Sequence, residues 1–260
     1  MQESPSSTGP IQTLDFSRKV VLITGATRGI GAAIAEDLEL AGADLILTGT
    51  NPSRIAELNA GSEERGRRVR YLQVDFSDES SLTNFLHELE RIPRIDVCIN
   101  NAGINKIDPI YELTSADYER ITQVNLRAPT LTCALVCGKM RAAGYGRIVN
   151  IASIWSAATK GGRSLYSMTK TGLVGLTRTV AVDMAPYNVL VNAVSPGFTR
   201  TELTDSTLSA VDAAALKGQI PLHRFAEPAE ISKVVMFLAS DFNTYLTGQN
   251  IVVDGGFTIV

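Results

Sequence analysis

Seven short apolar runs, separated by stretches with helical spacing, constrain the fold of this chain more than any other feature. The runs do not alternate polar with apolar residues, so each is expected to be a strand buried on both faces. Such strands occur in parallel sheets, in which helices form the crossovers and cover both faces. The sequence therefore predicts an α/β protein: a Rossmann-like, three-layer, doubly wound fold with a seven-stranded parallel sheet in a single domain. The predicted strands are residues 19–26, 44–49, 69–75, 95–103, 147–153, 189–197 and 249–256.

The length and composition fit one domain with one large core. The chain has 260 residues, of which 45% are hydrophobic and 20% are charged, and no change in composition marks a linker. Residues 1–14 are rich in Ser, Pro and Gly, so we expect a flexible N-terminal tail there and a folded domain over residues 15–260.

Charge and hydropathy exclude two classes of partner. The chain has 24 Lys plus Arg against 27 Asp plus Glu, a net charge of −3. Since these charges nearly balance and form no long run of like sign, we expect no nucleic-acid partner. No window approaches the ~18 apolar residues of a membrane span, and the opening residues lack a secretory pattern. We therefore expect a cytoplasmic protein without a membrane partner.

The cysteines and histidines are too sparse for a metal site. Cys98, Cys133 and Cys137 show no C-x-x-C spacing, which indicates free, buried thiols in a reducing compartment. The two histidines, His87 and His223, lie far apart and are expected on a surface helix or loop. No metal is predicted.

A glycine-rich turn follows the first predicted strand. It reads TGATRGIG and carries Gly25, Gly29 and Gly31, a spacing that differs from G-x-G-x-x-G. Glycines at this position permit a tight turn and let the backbone approach a pyrophosphate, whose charge the amino end of the next helix stabilises. Such a turn can also be structural alone, but its place at the first crossover predicts phosphate binding.

Tyr166 and Lys170 are four residues apart and would share one face of a helix. A tyrosine beside a fixed ammonium is a possible acid, although such a pair can equally be a solvated helix face. Taken with other motifs, the pair resembles the active site of the short-chain dehydrogenase/reductase family, and the resemblance covers about residues 15–260 as one dinucleotide-binding catalytic domain. The motifs are T-G-x-x-x-G-I-G at 24–31, NNAG at 100–103, Asn125, Ser153, the Tyr166/Lys170 pair and SPGFTRT at 195–201.

The resemblance implies an oxidoreductase that interconverts a carbonyl and a secondary alcohol by hydride transfer. Tyr166 would be the general acid in reduction and the base in oxidation, and Ser153 would hydrogen-bond the substrate oxygen. Lys170 would lower the pKa of Tyr166 and hold the nicotinamide ribose, while Asn125 would hold a water that links Lys170 to solvent. It further implies the strand order 3-2-1-4-5-6-7 and a homodimer or homotetramer.

The resemblance also implies a set of cofactor-binding residues. For three of them a structural role stays open: Asp75 could end a strand, Asn101 could satisfy a turn, and Thr201 could cap a helix. The full set is Gly25, Thr27, Arg28, Gly29, Ile30, Gly31, Thr50, Asp75, Phe76, Asn101, Ala102, Gly103, Pro196, Gly197, Thr199 and Thr201, together with Tyr166 and Lys170.

The end of the second strand predicts NADP(H), with NAD(H) as the alternative. An NAD-preferring member of this fold usually carries an acidic residue there, which binds the ribose hydroxyls and repels a 2′-phosphate. This chain has Gly49 at that position, followed by Thr50 and Asn51. Arg28, with Arg54 as a second candidate, could pair with the phosphate.

The substrate is a small carbonyl or alcohol in this interpretation, and two versions compete. The chain resembles 3-oxoacyl-carrier-protein reductases and also sugar or sugar-acid dehydrogenases. Leu131 and Val182 stand where carrier-protein reductases often have basic residues, which weakens the first version. A non-catalytic dinucleotide sensor is a third possibility, but such relatives typically lose the tyrosine or the lysine.

Three features near the active-site motifs leave their roles open. Residues 201–225 break the strand–helix rhythm and could form a mobile lid. Trp155 could form a wall of the pocket or pack in the core. Lys160 and Arg163 could attract an acidic substrate or lie in a solvated loop.

Two long helices are predicted to form the subunit interface. Residues 116–140 and 166–185 carry small and apolar residues on more faces than one sheet contact can bury. In the family this helix pair meets its copy across a two-fold axis.

Overall fold

The computed structural model describes residues 14–201 and 210–260. It contains one seven-stranded sheet in the order β3-β2-β1-β4-β5-β6-β7, with every neighbouring pair parallel. Both the seven-stranded parallel sheet and its predicted order are confirmed. The strands β1 to β7 are Val20–Ile23, Asp44–Gly49, Val69–Gln73, Val97–Asn100, Gly146–Ile151, Val189–Pro196 and Asn250–Val253.

Helices cover both faces of the sheet, because the strand residues alternate between two apolar clusters. Val21 and Ile23 of β1 pack with Ile34 on one face, whereas Leu22 between them packs with Phe85 on the other. Both faces are therefore apolar, which is why the strands read as unbroken hydrophobic runs. The helices α1 to α8 are Gly29–Leu40, Pro52–Glu64, Glu79–Arg91, Ser115–Thr122, Ala128–Ala143, Ser164–Met184, Ala210–Gly218 and Pro228–Ala239.

Most predicted strands end too late. The second strand has its predicted bounds, but the other six end earlier than predicted, β1 at Ile23 and β4 at Asn100. The reason is that apolar and small residues continue past each strand into turns, where glycines such as Gly25 and Gly255 have positive φ angles of 66° and 65°. These turns form the carboxyl edge of the sheet, where the candidate site lies.

The predicted helix over residues 116–140 is not one regular helix. It is divided into α4 and α5 by a π-helical turn over Gln123–Arg127. Such a turn adds a residue to the helical ladder and shifts the face on which later side chains lie. The spacing of apolar residues changes too little to indicate this interruption.

Two sequence predictions fall partly or wholly outside the described residues. The predicted tail lies outside them except for Leu14, and so do residues 202–209 of the predicted lid. The described remainder of that lid contains the helix α7. No described helix has the length and hydropathy that a membrane span requires.

The three cysteines are free thiols, as predicted. Cys98 and Cys133 are buried and Cys137 is half-buried. Burial raises the pKa of the Cys133 thiol to about 12 and that of Cys137 to about 11, so both stay protonated. Both histidines are exposed, His87 on α3 and His223 in a loop. Within the two described ranges, no three His, Cys, Asp or Glu side chains are grouped to hold a metal ion.

Candidate functional site

A cleft of about 840 Å³ lies at the carboxyl ends of β1 to β4. It opens at the point where the strand order reverses, since β1 has β2 on one side and β4 on the other. Ligands of open α/β sheets bind at this point. Most predicted cofactor residues line the cleft: Gly25, Thr27, Arg28, Gly29, Thr50, Asp75, Phe76, Asn101, Ala102, Gly103 and Thr201.

The glycine turn lies against the loop that follows β4. A Cβ atom on Gly25 would lie 2.9 Å from Ala102 Cα, and one on Gly31 would lie 2.4 Å from the Gly25 carbonyl oxygen. The Asn101 side chain donates to the carbonyl oxygens of Thr24 and Gly25 at 3.0 and 2.8 Å. Any larger residue at Gly25 or Gly31 would therefore displace the turn.

The turn fits a pyrophosphate. Helix α1 begins directly behind it, and Arg28 at the N-cap makes no side-chain capping hydrogen bond. The amides of the first helical turn therefore face the cleft without a capping side chain, where the helix dipole favours an anion. Gly29, with a φ of 57°, keeps this approach free of a side chain.

The carboxyl end of β2, which borders the cleft, has no acidic residue. Gly49 ends that strand, and a Cβ atom there would lie 2.4 Å from Thr27 Cγ2, so the close packing itself requires glycine. Arg28 is exposed in the cleft and has no carboxylate within 4 Å in residues 14–201 and 210–260. Arg54 also lines the cleft but pairs with Glu57 at 3.2 Å.

Asp75 both shapes a turn and faces the cleft. Its Oδ1 accepts hydrogen bonds from the Ser77 amide at 2.9 Å and the Ser77 hydroxyl at 2.7 Å. The residue is exposed, so its carboxylate is open to a ligand from the cleft side. The two interpretations of Asp75 are therefore compatible.

Several predicted cofactor residues do not line the cleft. Ile30 packs on the core, and a Cβ atom on Gly197 would lie 2.7 Å from Asp254 Cα. Thr199 is buried and donates to the Gly197 carbonyl at 3.2 Å. Gly31 and Pro196 also lie outside the lining, as do Tyr166 and Lys170. Cofactor binding by the whole predicted set stays a prediction. Four lining residues were missed because no motif marks them: Ser77, Ile104, Arg120 and Val124.

The side chains of Ser153 and Tyr166 lie near each other beside the cleft, close enough for Ser153 to act on the pKa of Tyr166. Ser153 follows β5, and its Oγ accepts a hydrogen bond from the Trp155 amide at 3.2 Å. Tyr166 lies in the first turn of α6. Burial raises the pKa of Tyr166, while the hydrogen bond from Ser153 and the positive charge of Arg163 lower it.

Lys170 is buried one turn further along α6. Its Nζ donates to the Ile151 carbonyl at 2.7 Å and lies 5.6 Å from the centroid of the Tyr166 ring. Burial lowers the pKa of Lys170 from 10.5 to about 8. Among the groups around Tyr166, Ser153 and Arg163 lower its pKa, while burial, the largest cause, raises it. That Lys170 lowers the pKa of Tyr166 stays a prediction.

Asn125 lies in the π-helical turn, where its side chain joins three parts of the site. Its Oδ1 accepts from the Ile104 amide at 2.8 Å, and its Nδ2 donates to the Ile104 carbonyl at 2.8 Å and to Thr169 Oγ1 at 3.2 Å. A Cβ atom on Gly103 would lie 3.5 Å from Asn125 Oδ1 and 3.3 Å from Lys170 Nζ. Gly103 lines the cleft, so the predicted catalytic residues adjoin the predicted cofactor site.

Trp155, Lys160 and Arg163 differ in their surroundings. Trp155 is 7% exposed and packs edge to face on Phe198 and Phe257, so packing is one of its roles. Lys160 is exposed in the loop before α6. Arg163 is half-buried, with Cζ 5.4 Å from the centroid of the Trp155 ring.

Comparison with known proteins agrees with this geometry. The family model described as enoyl-(acyl carrier protein) reductase matches residues 25–258. The 3-oxoacyl-(acyl-carrier-protein) reductase of Aquifex aeolicus (strain VF5) is 40% identical, covering 92% of this chain and 96% of that protein. Cyclopentanol dehydrogenase from Comamonas sp. (strain NCIMB 9872) is 35% identical, with 92% and 97% covered.

A solved structure matches the fold closely. It is a candidate NAD(P)-dependent gluconate 5-dehydrogenase from Beutenbergia cavernae with NADP bound at low occupancy. Its sequence is 33% identical, the match covers 95% of this chain and 99% of that chain, and the TM-score is 0.88.

Proposed function

This chain belongs to the short-chain dehydrogenase/reductase family of oxidoreductases, and we propose that it uses NADP(H) to interconvert a carbonyl and a secondary alcohol with Tyr166 as the general acid and base. The observation that carries this proposal is the hydroxyl pair of Ser153 and Tyr166, next to a buried Lys170, at the edge of a cleft that fits a dinucleotide. The non-catalytic sensor is disfavoured because the chain keeps Asn125, Ser153, Tyr166 and Lys170.

The cleft would bind the dinucleotide. The glycine turn and the amino end of α1 would hold the pyrophosphate, Asp75 would meet the adenine, and Asn101 would keep the turn in place. Lys170 Nζ, near Gly103 on the lining, would reach the nicotinamide ribose. The bound dinucleotide supplies the hydride in reduction and accepts it in oxidation.

The hydroxyl pair supplies the proton chemistry. In reduction Ser153 hydrogen-bonds the carbonyl oxygen and Tyr166 donates its proton to that oxygen as negative charge develops there. Tyr166 is then a tyrosinate, which the hydrogen bond from Ser153 and the charge of Arg163 stabilise. Because the pKa of Lys170 is about 8, its ammonium can return a proton near neutral pH, through water held in the region of Asn125.

Two substrate classes follow from the relatives. The Aquifex aeolicus protein favours a 3-oxoacyl reductase, and the Beutenbergia cavernae structure favours a sugar-acid dehydrogenase. Of the two positions that often carry docking charges in carrier-protein reductases, Val182 is 75% exposed and apolar, and Leu131 packs at the edge of the core. This surface favours the second class. A cytoplasmic location stays a prediction.

Tyr166→Phe removes the proton donor with little change of shape. We expect at least the ~10²-fold loss of turnover typical of lost acid catalysis, with NADPH affinity, measured by fluorescence titration, near the native value. Tyr245→Phe is the matched control, since Tyr245 is 96% exposed, and should keep full activity. More than half the native turnover in Tyr166→Phe would contradict the mechanism.

The cofactor preference should depend on Arg28. Charge-assisted contacts contribute roughly 1.5–3 kcal/mol, so Arg28→Gln should raise the KM for NADPH about 10- to 100-fold and leave that for NADH unchanged. Asn51→Asp should act in the same direction, because it adds a carboxylate to the cleft yet keeps the side-chain oxygen that accepts from the Arg54 amide at 3.0 Å.

Asn51 is a better site for this test than Gly49, where a side chain would displace Thr27. Arg65→Gln, at the exposed far end of α2, is the control and should change neither KM. A native preference for NADH, or unchanged cofactor kinetics in both cleft variants, would show that the ribose pocket is not built in this way.

The assembly is proposed to be a homodimer or homotetramer through α5 and α6. Their outward faces are small and apolar: added Cβ atoms on Gly138 and Gly175 would contact nothing within 4 Å, and Met168 and Val182 are 43% and 75% exposed. Light scattering at micromolar concentration should give the mass of a dimer or tetramer. Val182→Asp should lower that mass, whereas Val211→Asp on α7, equally exposed at 78%, should not. A native monomer would refute the interface.

A further inference from the structure

Arg163 carries a charge that the described protein does not neutralise. It directly precedes α6 and is half-buried, and no carboxylate of residues 14–201 or 210–260 lies within 4 Å of its guanidinium. The nearest loop does hold an acid, Asp108, whose amide donates to the Gly162 carbonyl at 3.2 Å. That carboxylate, however, pairs with Lys106 at 2.9 Å. Burial without a partner lowers the pKa of Arg163, a cost that a bound anion would offset.

The guanidinium lies on a fixed aromatic platform. Its Cζ is 5.4 Å from the centroid of the Trp155 ring. That ring is held edge to face by Phe198 at 6.2 Å and Phe257 at 6.1 Å. A guanidinium is planar, so beside the face of an aromatic ring it can still offer its N–H groups to a ligand.

This platform adjoins the reacting hydroxyls. Trp155 follows Ser153 by two residues, and Arg163 precedes Tyr166 by three. The Arg163–Trp155 pair therefore lies next to the pair formed by Ser153 and Tyr166. The charge of Arg163 acts on the Tyr166 hydroxyl itself. A substrate whose carbonyl oxygen contacts Ser153 and Tyr166 would therefore place its neighbouring carbons towards Arg163.

We propose that Arg163 binds the carboxylate of the substrate, and that the substrate is a small oxo acid and its hydroxy-acid counterpart. A carboxylate matches the planar fork of the guanidinium and can accept two parallel hydrogen bonds from it. The acyl chain of a thioester has no charge at this position. The inference rests on the proposed function and selects the acid-type substrate over the 3-oxoacyl thioester.

The test compares acids with their neutral esters. Reduction of pyruvate, acetoacetate, levulinate and their methyl esters is followed by NADPH absorbance in the native protein, Arg163→Met, Arg163→Lys and Lys160→Met. The native protein should prefer at least one acid over its ester about 10-fold or more in kcat/KM. Arg163→Met should lower kcat/KM on the ester as well, because the charge of Arg163 also acts on Tyr166. The loss on that acid should be about 10- to 100-fold larger than the loss on its ester, and the difference should appear mainly in KM.

The two control variants separate charge from geometry. Arg163→Lys keeps the charge but not the fork and should fall between the native protein and Arg163→Met. Lys160→Met removes an exposed charge from the same loop and should change neither substrate series. Activity on the ester shows that each variant is folded and binds its cofactor.

Three other results of this comparison would each contradict one claim. If the ratio of kcat/KM on acid to that on ester were about one in the native protein and the same in Arg163→Met, the carboxylate site would be refuted. The proposed function would still stand. A preference for dihydroxyacetone phosphate over every carboxylate, lost in Arg163→Met, would assign a phosphate to Arg163 instead. Failure to reduce any ketone, charged or neutral, would refute the proposed function, and the inference would fall with it.

Discussion

The action of the Ser153 hydroxyl on that of Tyr166 is the interaction on which the candidate site depends. It relates the end of β5 to the first turn of α6, two segments that the intervening loop brings together. The Trp155 amide fixes Ser153 Oγ from one side. Burial alone would make Tyr166 a weaker acid, so the pair must offset that burial for the tyrosine to exchange a proton near neutral pH.

Burial of the Lys170 ammonium beside the hydroxyl pair destabilises the folded state. Lys170 is 3% exposed, and its ammonium donates a hydrogen bond to the carbonyl oxygen of Ile151. Its pKa falls from 10.5 to about 8 on burial, so below pH 8 the charged form destabilises the folded state on the order of 3 kcal/mol. This penalty disappears as the pH rises through 10.5. A buried charge without an anionic partner is typical of a functional site rather than of a stabilising ion pair.

The sequence predicted most of the fold, because the strands are apolar on both faces and the strand order came with the family resemblance. The sequence-based prediction was wrong or incomplete for features that depend on tertiary contacts. The strand ends were placed too late because small residues such as Gly25 and Gly103 continue the apolar pattern into the cleft. The π-helical turn around Asn125 shifts the helical register by one residue, too little to change the pattern. Whether Arg163 has an acidic partner among the described residues depends on which acids other elements bring near it, and no local sequence pattern indicates that.

The pH dependence of alcohol oxidation tests the hydroxyl pair most directly. In the proposed mechanism oxidation requires the tyrosinate, so kcat/KM should rise with pH to a plateau, and the midpoint of the rise should lie at the apparent pKa of Tyr166. The hydrogen bond from Ser153 favours the charged form, so Ser153→Ala should move the midpoint upward by about 1 to 2 pH units, the equivalent of one charge-assisted hydrogen bond. Ser153→Thr keeps a hydroxyl and should restore the native midpoint. An unchanged midpoint in Ser153→Ala would show that Ser153 does not set the proton affinity of Tyr166 and would contradict the account.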